Sequence, residues 1–247
     1  MSDWGRYLKV STLLVTATVP VSTMFARRYG SAAACRFGAG MAGTLGGQQA
    51  LVGLALKRRV RASETDQVHL LNVAELITLS RGAAAAVLVG LSVSRIRERR
   101  GFAGWLGWSV LLYGSILCDW LDGPIARHLG TSEMGVLFDL ESDSWLTLCA
   151  AGSAIAWGDL PVAVAGAPVL RYILMFSALG NTRYAELHVD EPGWVRPAGI
   201  VQMLLFVAAL APFGGRATWA AVRLLSPIQT PVQVAGLLFL QHRRTRG

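Results

Sequence analysis

Charged residues are scarce: Asp, Glu, Lys and Arg make up only 15% of the 247 residues, against about 25% in a typical soluble domain. Lysine is almost absent, with Lys9 and Lys57 standing among 23 basic residues that are otherwise arginine. The three cysteines, Cys35, Cys118 and Cys149, are odd in number and lie in apolar surroundings, which excludes a disulfide framework and a zinc-binding pattern and reads as small buried hydrophobes. The four histidines, His69, His128, His188 and His242, lack metal-ligand spacing and sit in or beside polar connections. No stretch alternates as a barrel strand must.

Hydrophobic residues fill the gap, at 53% of the chain and a mean hydropathy of +0.45. Several apolar stretches approach the ~20 residues that cross a hydrocarbon core. In lipid every backbone polar group must find its partner within the protein, so the expected fold class is all-α, a polytopic membrane helical bundle. The net charge of +8 suits an anionic surface. The arginines gather in short clusters between apolar runs, as at Lys57-Arg58-Arg59, Arg97-Glu98-Arg99-Arg100 and Arg243-Arg244-Thr245-Arg246. That placement marks membrane flanks and argues against a nucleic-acid partner. Trp105, Trp108 and Trp120 are most simply explained as interfacial anchors.

The chain divides in two. Residues 1–60 hold candidate spans at 9–26 and 38–56, with no evident role. Arg6 and Lys9 before the apolar run Val10 to Ala26 fit a signal peptide, and Arg27-Arg28 directly after it fit a retained anchor equally well. The second span is rich in glycine (Gly38, Gly40, Gly43, Gly46, Gly47, Gly53), as expected of a segment lying in the interface or packed tightly on another helix. Residues 61–247 form the second part, a six-helix transmembrane core with spans near 73–94, 103–122, 134–157, 162–180, 195–213 and 216–240. With the N-terminus in the cytoplasm, basic residues favour the cytoplasmic side, although Arg95–Arg100 falls outside.

Four aspartates stand at the ends of two of these helices. Asp119 and Asp122 are three apart, Asp139 and Asp143 four apart, so each pair shares one helical face. Glu141, between the second pair, points away from their face, with an expected helix-start or supporting role. Carboxylates at that depth are costly singly and repel one another together unless cations lie between them. Hard oxygen donors suit Mg²⁺ or Mn²⁺, and two such ions clamp a phosphoryl group during attack by an oxygen nucleophile. Gly123 and Ala126 allow close approach of a ligand, and Arg127 offers a planar fork to phosphate. Helix capping would explain Asp119 and Asp122 alone, but not all four with their neighbours.

The series Asp119, Asp122, Gly123, Ala126, Arg127, then Gly135, Asp139, Asp143 resembles the signature of the CDP-alcohol phosphotransferases, Asp-x₂-Asp-Gly-x₂-Ala-Arg followed by Gly-x₃-Asp-x₃-Asp. Eight fixed residues at about one in twenty each match by chance on the order of 10⁻¹⁰ times per starting point. The spacer from Arg127 to Gly135 holds seven residues where the family usually has eight, the difference falling in a connection between helices. Upstream, Thr78 and Arg81 match the family's Asn-x-x-Thr-x-x-Arg, with Glu75 in place of Asn. The resemblance covers about residues 73–240.

It implies Asp119, Asp122 and Asp139 as ligands of two metal ions, and Asp143 as general base that also touches a metal. Asp119, Gly123, Ala126, Arg127, Gly135 and Thr78 would bind the nucleotide. Arg81, Arg171 and Arg183 are candidates for acceptor or phosphate contact, with snorkelling or a solvated loop as the plainer readings of the last two. The implied reaction moves a phosphatidyl group from CDP-diacylglycerol to a polar alcohol with loss of CMP, in a bacterial cytoplasmic membrane with the site facing the cytoplasm. Similar proteins are often homodimers. A CDP-amino alcohol donor with a diacylglycerol acceptor is the alternative within the class. A divalent-cation transporter and a binding-only relative are alternatives outside it, and the acceptor alcohol stays open.

Overall fold

The computed structural model describes residues 3–60, 73–95, 102, 105–115, 117, 133–157, 160–178, 194–209 and 216–246. Among them every regular element is helical and none is a strand, as the lipid argument required. The helices are α1 (Asp3–Thr16), α2 (Thr18–Tyr29), α3 (Ser31–Val60), α4 (Val73–Ser94), α5 (105–115), α6 (Glu133–Ala156), α7 (Gly166–Ala178), α8 (Val195–Ala209) and α9 (Arg216–Arg246), with a 3₁₀ turn at Val162–Ala165 before α7. Among the described residues no helix is long and apolar enough to cross a membrane.

The contacts between helices fix their directions. Ser11 of α1 donates to Gln49 of α3 at 2.8 Å, and Phe25 of α2 stacks on Phe37 of α3 with centroids 4.2 Å apart. The α1–α2 pair is therefore antiparallel to α3, turning at Gly30, whose φ of +84° suits a residue without a Cβ. Arg36, near the start of α3, donates to the carbonyl of Ser94 at the end of α4, so α3 and α4 are antiparallel too. Trp157, just past α6, donates to the Ser92 carbonyl at 3.3 Å, making α4 and α6 parallel. Trp105 at the start of α5 donates to the Val207 carbonyl near the end of α8. One end of the bundle thus gathers the start of α4, the start of α6 and the end of α3, and the other end gathers Gly30, Arg95 and Trp157.

Small residues let α3 approach α4. A Cβ on Gly90 would lie 2.9 Å from the Phe37 carbonyl oxygen, and one on Gly40 would lie 3.0 Å from the Gly90 Cα. The glycine-rich segment therefore packs tightly on a helix, the second of its two expected placements, and Phe37, Met41 and Leu45 bury against Ala86. Gly90→Ala forces backbone apart rather than a flexible side chain, and is expected to cost about 1–3 kcal/mol. Thermal unfolding in detergent measures it, and an unchanged midpoint would refute the close approach.

The larger core joins Ala85 and Leu88 of α4, Trp108 and Leu112 of α5, Leu146, Ala150 and Ala154 of α6, and Phe206 of α8. Two readings need correction. Trp108 is no interfacial anchor: it is buried, edge-on to Trp157 at 4.6 Å, because α5 turns that face toward α4 and α6. Cys35 is exposed, since its face of α3 turns away from the packed neighbours, whereas Cys149 is half-buried against the larger core. Cys118 and Trp120 lie outside the described residues.

Candidate functional site

Arg81 and Asp143 meet where α4 and α6 run side by side. The Arg81 side chain is fully buried and its Nη1 donates to Asp143 Oδ1 in an ion pair. The Asp143 side chain is 35% exposed, so one end of this pair is sealed in the bundle and the other faces outward. Burying a guanidinium is expensive unless a counter-charge is near, and the aspartate answers that demand while being held in place by it. Asp139 and Gly135 lie on the helical backbone of α6, one and two turns before Asp143, and Thr78 lies on α4 one turn before Arg81. Asp119, Asp122, Gly123, Ala126, Arg127 and Arg183 lie outside the described residues.

Glu141 is not at the helix start. It is eight residues into α6 and 2% exposed, with both carboxylate oxygens bonded to other helices. Gln48 Nε2 of α3 donates to Oε2 at 2.9 Å and lies 3.4 Å from Ser142 Oγ. The Tyr172 hydroxyl of α7 donates to Oε1 at 2.5 Å, and the Tyr172 ring lies 5.8 Å from that of Trp145. Sequence reasoning missed Gln48 and Tyr172. The available signal was the polar pair Gln48-Gln49 in an otherwise apolar, glycine-rich run, where an amide needs a buried partner.

Arg171 precedes Tyr172 on α7. It is half-buried and makes no hydrogen bond or ion pair with any described residue. Its neighbour Tyr172 bonds Glu141, on the face of α6 opposite the aspartates. Arg223 is exposed on α9. Gln202 is buried in α8.

A family model for CDP-alcohol phosphatidyltransferases matches residues 71–237, from the start of α4 to within α9. The chain belongs to the CDP-alcohol phosphatidyltransferase family. Its members are phosphotransferases of phospholipid synthesis that work with divalent metals and are generally membrane-embedded. No curated protein and no solved structure matches the chain. The matched region contains Arg81, Asp143, Glu141 and Tyr172, whereas Gln48 precedes it.

The described donors fit a phosphotransferase metal site in kind. Asp143 offers carboxylate oxygen at a partly open position, and Asp139 precedes it by one turn on the same helical face. Among the described residues no group of three or more His, Cys, Asp or Glu side chains comes together, and Asp119 and Asp122 lie outside them.

Proposed function

We propose that this member transfers a phosphatidyl group from CDP-diacylglycerol to a polar alcohol, releasing CMP, with Asp143 at the centre of the chemistry. The observation that carries the reading is the Arg81–Asp143 pair inside the family-matched region: a motif aspartate held rigidly by a buried guanidinium yet partly open. Asp143 accepts the proton of the acceptor hydroxyl, whose oxygen attacks the phosphorus bearing the lipid as the bond to CMP breaks. Asp119, Asp122, Asp139 and Asp143 would hold two Mg²⁺ or Mn²⁺ ions, which when bound neutralise charge on the phosphoryl oxygens and the leaving group. In this reading Asp119, Gly123, Ala126, Arg127, Gly135 and Thr78 receive the cytidine diphosphate.

Arg171 contacts the phosphate in this reading. A half-buried guanidinium in an otherwise apolar helix calls for an anion, and no described carboxylate supplies one. Arg171→Met is expected to lower kcat/KM for CDP-diacylglycerol by about 10- to 100-fold, the worth of one charge-assisted hydrogen bond, with Arg171→Lys in between. A variant as active as the parent would return Arg171 to a snorkelling role.

The bundle lies in a bilayer with its site end toward the cytoplasm. Large apolar side chains face outward along it, including Val110, Tyr113, Ile173, Leu204, Leu224 and Ile228, an arrangement suited to lipid contact. Hydroxyls are satisfied without water: Ser22, Thr44, Ser92, Ser109, Ser115, Thr147 and Ser226 each donate to the carbonyl four residues earlier. Purified protein in detergent, given CDP-diacylglycerol, Mg²⁺ or Mn²⁺ and a panel of alcohols, should release CMP only with its proper acceptor. Release with none of them would overturn the proposal.

A further inference from the structure

We infer that Gln48 and Tyr172 are positioning residues of the reaction, acting through Glu141 to fix the rotation of α6 and so the aim of Asp139 and Asp143. Glu141 is two residues from each aspartate, about 200° around the helix at 3.6 residues per turn. The aspartates and Glu141 therefore occupy opposite faces of one rod. A rod held on one face alone can roll, and this one is held on both. Arg81 of α4 grips the aspartate face at Asp143. Gln48 of α3 and Tyr172 of α7 each grip one oxygen of Glu141 on the other face.

The α4 sequence accommodates both grips at adjacent positions. Arg81 reaches Asp143, and Gly82 leaves the space in which Gln48 lies, since a Cβ there would stand 2.1 Å from Gln48 Oε1. Gln48 belongs to the N-terminal helices, ahead of the region common to the family. Those helices are thus part of the catalytic unit rather than an attached anchor: without α3 one oxygen of a buried carboxylate loses its donor, and α6 loses one of its stops. Supports of this kind behind metal ligands typically change metal affinity by about 10- to 100-fold.

The inference rests on the reading of Asp139 and Asp143 as metal ligands, and Mn²⁺ binding to the full-length chain in detergent tests both separately. Free Mn²⁺ is followed by its paramagnetic resonance for the parent, Gln48→Met, Gly82→Ala and Tyr172→Phe, the last keeping its ring so that a folded variant is available. Gln48→Met and Gly82→Ala are expected to weaken Mn²⁺ about tenfold, and Tyr172→Phe a few-fold, with stoichiometry and the KM for alcohol unchanged and kcat recovering at high metal. A role in folding alone would lower the stoichiometry or the unfolding midpoint while leaving the affinity as it is, and that outcome overturns the inference but not the function. A parent chain that binds no Mn²⁺ overturns both.

Discussion

Replacing Asp143 by Asn is expected to reduce alcohol-dependent CMP release by about 10³-fold or more. General-base catalysis alone supplies about 10²- to 10⁴-fold, and the amide also loses the anionic oxygen that a hard cation prefers. The substitution is informative because it changes little else. Asn keeps the shape of Asp and an acceptor oxygen toward Arg81, whose Nη1 now bonds Oδ1. Thr147 still donates to the residue's backbone carbonyl, so the helix is undisturbed. The protein should remain folded, with an unfolding midpoint lowered by the loss of a charge opposite a buried guanidinium. Retention of more than a tenth of the activity would show that Asp143 is neither base nor ligand.

Arg81→Met should lower kcat by about 10²-fold without touching any reacting atom, the scale on which small misplacements of a catalytic group act. Methionine fills the buried path of the arginine with an unbranched apolar chain, so packing against the core is kept while the grip on Asp143 goes. The stability cost is expected at roughly 1–3 kcal/mol, below the 3–5 kcal/mol typical of breaking a fully buried pair, because the Asp143 side chain is 35% exposed and can take up water. Arg81→Lys restores the charge but not the planar fork, and should recover part of kcat. Stability and kcat measured on the three proteins separate the two effects. An Arg81→Met chain of full activity would mean that Asp143 needs no help to hold its aim.

Much of this architecture was legible in the sequence because helices in an apolar solvent have narrow options. The expected span 73–94 matches α4, and 134–157 matches α6 to within a residue at each end. The span near 9–26 lies across two helices that break at Ala17, shortly before Pro20, which has no N–H to donate to the Thr16 carbonyl. Trp108 could not be read correctly, since an indole suits both an interface and a core and only the neighbours on α6 decide. Glu141 was rightly turned away from the aspartates by its spacing, but its two partners lie 93 and 31 positions distant and leave no local trace.

The sequence by itself determined the family, the helical class, and the aspartate spacings that put Asp139 and Asp143 on one face, all of which depend on residues near one another along the chain. Tertiary structure alone decided that Arg81 pairs with Asp143, that α3 crosses α4 over paired glycines, and that Gln48 and Tyr172 hold Glu141 from either side. The physical reason is the same in each case. A buried polar group must be satisfied, but which of several distant partners satisfies it depends on the direction and rotation of whole helices.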